Sequence, residues 1–76
     1  MARPIYEIAN EIERKWAKVN YAARPYLDAM KSINDIGEMY YYDSAKSVVL
    51  YFMANAHTWR GEDARRIKAE LKGIAA

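Results

Sequence analysis

The chain contains no cysteine, one histidine, two prolines and three glycines in 76 residues. Without cysteine there are no disulfides, no thiol nucleophile and no thiolate zinc site. A lone imidazole, His57, cannot build a histidine metal cluster. So few glycines and prolines leave few breaks in regular structure. Neither sign of charge dominates: twelve basic and ten acidic side chains give a net +2. That balance is too mixed for a polyanion mimic and low for a DNA binder. The longest apolar run, Val48 to Ala54, falls well short of the about 20 residues that span a bilayer. The Met1-Ala2-Arg3-Pro4 start has no apolar signal core, so the expectation is a soluble intracellular protein with no membrane partner.

What is present is enough apolar surface to fold. Hydrophobic residues make up 53% of the chain, and seven residues are tyrosine. The length suits one helical domain over residues 1–76. Size scaling puts burial at roughly 60–65% of the unfolded surface, so the core needs good packing or a partner.

Helical periodicity dominates the pattern. Ile5, Ile8, Ile12, Trp16 and Val19 recur at steps of three and four, predicting a helix from Pro4 to Asn20. Pro4 suits the first helical position. Pro25 interrupts the pattern and biases Arg24 towards extended geometry. The residues before it leave both a break and a mild kink open. A short second helix follows, with Tyr26, Met30 and Ile33 inward and an end near Asn34. Asn34 to Glu38 reads as a turn. The triple tyrosine Tyr40-Tyr41-Tyr42 has strand propensity, but no second strand is evident to pair with it. It is therefore expected as a loop whose rings cover the core, with at least one ring outward.

Asp43 or Ser44 can cap a third helix. Its inner face is Ala45, Val48, Val49, Phe52, Met53 and Ala56, while Leu50, Tyr51 and Ala54 lie opposite. A helix apolar on most of its circumference is central in a bundle or buried between copies. A homo-oligomer through this helix is one expected partner arrangement. Thr58 is the next candidate cap. Ala64, Ile67, Leu71 and Ile74 define a fourth helix from Trp59 or Glu62 to Lys72, with Gly73 at its end. Glu62, Arg66 and Glu70 form an outer ladder of alternating charge. The fold class expected is all-α, a compact bundle of about four short helices.

Catalytic signatures are missing: no phosphate-cradling glycine loop, nucleophile elbow or His-Glu metal motif occurs. His57 is expected to interact with the end of its own helix rather than act as a base. No catalytic residue, cofactor or metal is assigned, and the chain is read as a non-enzyme. Binding residues are easier to propose. Trp59 and Arg60, with the Tyr40–Tyr42 loop, are of the types that dominate interface energy. For Trp59 the competing reading is a plug between helices, and for Arg60 a pairing with a nearby carboxylate. Arg65, Lys68 and Lys72 share one face of the fourth helix and could track phosphates. Glu62 and Asp63, in the turn that would meet DNA, oppose that use. Net charge is uneven: +2 over residues 1–34, −2 over 35–58 and +2 over 59–76. An acidic, tyrosine-rich patch around Asp35, Glu38 and Asp43 is expected beside basic helix ends.

Two stretches carry a resemblance. Pro4-Ile5-Tyr6-Glu7-Ile8-Ala9 is one. The other runs from Asp43-Ser44-Ala45-Lys46-Ser47 through Thr58-Trp59-Arg60-Gly61-Glu62 to Ala64-Arg65-Arg66-Ile67-Lys68-Ala69-Glu70-Leu71-Lys72. Together they resemble a family of short uncharacterised proteins encoded by tailed bacteriophages and prophages. Thr58-Trp59-Arg60-Gly61-Glu62 is the most specific element. The resemblance carries over no functional residue. It implies the cytoplasm of an infected bacterial host as the setting. There, small accessory proteins without enzyme signatures often bind and block a host component. The expected function is an anti-CRISPR-like inhibitor whose partner is a host defence protein. The alternatives are a nucleic-acid-binding regulatory module using the last helix, or an oligomeric sponge for a nucleotide immune signal.

Overall fold

Proline starts the first helix from outside it. Pro4 (φ −57°, ψ 146°) caps α1 (Ile5–Lys15) without a side-chain hydrogen bond. The amides of Ile5 and Tyr6 instead donate to the carbonyls of Asn34 (3.0 Å) and Ile33 (2.8 Å). These contacts come from a computed structural model that describes residues 3–76. Ile5, Ile8, Ala9 and Ile12 are buried, as the spacing predicts.

The helix then stops short of the expected Asn20. Trp16 is extended (φ −103°, ψ 92°), although its amide still donates to the Ile12 carbonyl at 2.8 Å. Asn20 explains part of the break, because its side chain competes for backbone groups. Its Oδ1 accepts from the Ala22 amide, and its Nδ2 donates to the Asn55 carbonyl, both at 3.2 Å. The chain breaks here rather than kinks. The α2 helix (Arg24–Met30) begins one residue before Pro25, so Arg24 is helical, not extended. Its amide bonds the Asn20 carbonyl, and Glu13 grips its guanidinium at 2.6 and 2.9 Å. Leu27, Ala29 and Met30 face inward, and Tyr26 is only half-buried.

The tyrosine segment differs from expectation. Met39–Tyr40 (β1) and Asp43–Ser44 (β2) pair antiparallel, Met39 opposite Ser44 and Tyr40 opposite Asp43. The fold is therefore mostly helical, with one small hairpin, rather than purely all-α. Residues after the tyrosines supply the second strand, while Ser44 also caps α3 (Ala45–Ala54) by accepting from the Ser47 amide at 3.1 Å. The α4 helix (Glu62–Ala75) continues through Gly73, because Ala75 packs into the core. Thr58 does not cap it. Gly61 does, at φ 113°, a conformation side chains rarely adopt.

The buried residues form one apolar cluster contributed by all four helices, with no buried polar residue among those described. Ion pairs surround it. Glu11 on α1 lies 2.8 Å from Arg3 and 2.7 Å from Arg66 of α4, and Arg3 also binds Glu70 at 2.7 Å. Arg66 and Glu70 of the expected ladder thus pair across to Glu11 and Arg3, and along its own helix Arg66 meets Asp63 at 3.4 Å rather than Glu62 or Glu70. The Arg3 contact at Glu11 Oε1 is ionic without the alignment of a hydrogen bond. Arg66, then Arg3, hold the Glu11 carboxyl down to about 2. Arg24, then Lys31, do the same for Glu13.

Two outcomes follow from this packing. Ile12→Ala should cost about 2–5 kcal/mol in urea unfolding, because a fully buried side chain leaves a cavity. Stability should also depend on acid. Both carboxyls sit below their ordinary value of 4.5, so their contribution is complete above it and lost as pH falls towards about 2. Glu11→Gln should flatten the fall of the unfolding midpoint across that range.

Candidate functional site

The residues expected to bind divide between the two ends of α3. The Tyr40–Tyr42 hairpin joins its N-terminus, and Trp59-Arg60 follow its C-terminus. Ten helical residues separate them, about 15 Å along the axis. The two groups the sequence suggested as one surface thus stand at opposite ends of this helix.

At the hairpin, Tyr40 packs against the core. Tyr41 and Tyr42 form the two-residue turn, 82% and 99% exposed. Tyr41 has φ +57°, where a residue with a Cβ is strained by about 1–2 kcal/mol. Its ring meets that of Tyr40 edge-on at 4.7 Å, which partly offsets the strain. Exposed Met39 and Asp43 flank the turn. Below it, the Glu38 carboxylate accepts from the amides of Asp35 (2.9 Å) and Asn34 (3.3 Å), closing the preceding turn. The Ala45 amide donates to the Glu38 carbonyl at 2.8 Å, tying that turn to α3. The two free rings therefore stand on a braced support.

At the other end, Trp59 is structural. It is only 5% exposed and stacks on Trp16 with centroids 5.5 Å apart and planes 11° from parallel. Lys68 covers it from α4, with Nζ 5.9 Å from the ring centre and donating to the Trp59 carbonyl at 2.7 Å. Lys68 is thus a tethered cation rather than a free one. Burial, then the charge of Arg60, push its pKa down. Arg60 and Arg65 are exposed, and neither has a carboxylate partner among the described residues, so the expected pairing of Arg60 is not found. Trp59, Arg60, Gly61, Ala64, Arg65 and Lys68 line a cleft of about 340 Å³. Gly61 and Ala64 contribute to it by being small, a role their sequence positions did not advertise. Lys72 lies one turn beyond Lys68, exposed on the same stripe.

The outer side of α3 was expected to be covered. Leu50 is 45% and Tyr51 52% exposed, and Tyr51 rests on Tyr26 with ring centres 5.6 Å apart. His57 is exposed in the turn after α3. Among the described residues, no group of three His, Cys, Asp or Glu is arranged to hold a metal ion. No helix described is long and apolar enough to cross a membrane. Comparison of the chain with protein-family models, with curated proteins and with solved structures found no match.

The division between structural and exposed aromatics is measurable. Trp59→Ala should cost about 3–5 kcal/mol by chemical unfolding, as a buried ring lost from a small core. Tyr42→Ala should change stability by less than about 0.5 kcal/mol.

Proposed function

We propose that the protein is a non-enzymatic binder of bacteriophage origin that blocks a host defence protein, in an anti-CRISPR-like manner, in the bacterial cytoplasm. The contact surface in this reading is the Tyr41–Tyr42 turn. The observation that carries it is the exposure of two adjacent aromatic rings on a strained but braced hairpin. Hydration gives such rings no reason to project from a small domain, whereas interfaces use them as low-entropy anchors. Strain kept at an exposed turn also favours function over stability as its cause. Exposed carboxylates nearby, Asp35 and Asp43, suit a partner surface that is basic around an apolar pocket. Self-association would use the outer side of α3, where Leu50 and Tyr51 remain half-exposed.

The test compares Tyr41→Ala and Tyr42→Ala with the parent in phage-protection assays on a defence-bearing host. Both variants are first checked by thermal melting for a retained fold. Tyr42→Ala should lose most of the protection while melting like the parent. Full protection by both folded variants would remove the hairpin as the contact surface.

A further inference from the structure

The cleft at the opposite end of α3 is independent of the hairpin, and its charge is unusual for this molecule. Of the other arginines, Arg3, Arg24 and Arg66 pair with carboxylates, while Arg14 is exposed on α1 and lines neither this cleft nor the one beside Pro4. Arg60 and Arg65 pair with none among the described residues, and Lys68 is bound only to a neutral carbonyl. These three cations converge on one cleft, and none of its lining residues is acidic. The carboxylates of the first turn of α4 do not offset them. Asp63 faces Arg66 at 3.4 Å and Lys15 at 3.9 Å, on the side towards α1. Glu62 is exposed and does not line the cleft. The larger cleft beside Pro4 and Ile36 lacks this property, because its Arg3 is taken up by Glu11 and Glu70.

We infer that this cleft binds the phosphate backbone of a nucleic acid. Arg60, Arg65 and Lys68 hold one phosphate, and Lys72 meets the next along the same stripe. A tetrahedral phosphodiester offers oxygens in several directions, which suits two guanidinium forks and an ammonium approaching from different elements. The tether to Trp59 fixes the Lys68 ammonium and leaves two of its protons free to donate. An anion here would also relieve the repulsion between Lys68 and Arg60. Extension of the cations beyond the cleft to Lys72 favours a polyanion over a single nucleotide. The bases would go unread. The Trp59 ring lies between Trp16 and Lys68 and offers no face for stacking. Binding should therefore be indifferent to sequence.

The experiment is fluorescence anisotropy of the full chain with a labelled oligothymidylate and a labelled mixed-sequence strand, from about 20 mM salt upward. Both strands should bind alike, with a log–log salt slope of about −1.4, the value for two phosphates on a single strand. Arg65→Gln should weaken binding several-fold, and Lys72→Gln should lower the slope by about 0.7. Lys46→Gln removes equal charge at the far end of α3 and should change neither. Amide shifts in NMR on adding the strand should concentrate on residues 59–72. Inorganic phosphate should move the same amides around 59–68 only weakly. Phosphate saturating the cleft as tightly as the strand would overturn the backbone assignment in favour of a small phosphate ligand. Equal weakening by Lys46→Gln and Arg65→Gln, or no binding at the lowest salt, would overturn the site itself. Neither result depends on the hairpin, so failure here leaves the Tyr41–Tyr42 reading standing.

Discussion

Three segments of this small protein are held together at one aromatic contact. Trp16 stacks on Trp59 and meets Phe52 edge-on with ring centres 6.2 Å apart. One ring ends α1, one belongs to α3, and one sits in the turn that leads to α4. The stack also determines what surrounds it. Trp16 must leave helical geometry to reach it, so α1 ends early. Lys68 is drawn over Trp59, which brings its charge close to that of Arg60.

Electrostatics then separates the two ends of α3. Carboxylates at Asp35, Glu38 and Asp43 stand near its N-terminus, and Arg60, Arg65 and Lys68 near the turn after its C-terminus. Each sign sits beside the pole of the helix dipole that favours it. Most other charges are neutralised in pairs around Glu11 and Glu13. Opposite signs of charge therefore stand at the two ends of α3, beyond the reach of the pairs around Glu11 and Glu13.

Helix periodicity made the buried stripes of α1, α3 and α4 legible, because each is defined by steps of three and four within one segment. Ser44 was legible as a cap for the same local reason. Helix ends were not. Trp16 ends α1 because of a partner forty-three positions away, and Gly73 fails to end α4 because Ala75 finds room in the core. The hairpin was hidden because its turn is Tyr-Tyr rather than the glycine or asparagine such turns usually carry. Its second strand is two residues of what reads as a helix cap. At the candidate sites, residue types pointed to tyrosine, tryptophan and arginine, but only the fold shows Trp59 buried and Arg60 at the opposite end of α3 from Tyr42. Distance across α3 is a tertiary quantity with no local signal.

The stitching of α1 to the chain around Asn34 also constrains the order of assembly. The first amides of α1 donate to carbonyls almost thirty residues downstream. Arg3 waits longer still, since its carboxylate on α4 is 67 positions away. A nascent chain on the ribosome can thus close the start of α1 once Asn34 has been made, whereas the Arg66 pair to Glu11 and the Glu70 pair to Arg3 wait for α4. The pairs of Glu13 with Arg24 and Lys31 need only the N-terminal half of the chain, so the ion pairs to α4 act as a later clasp on helices that already have partners of their own.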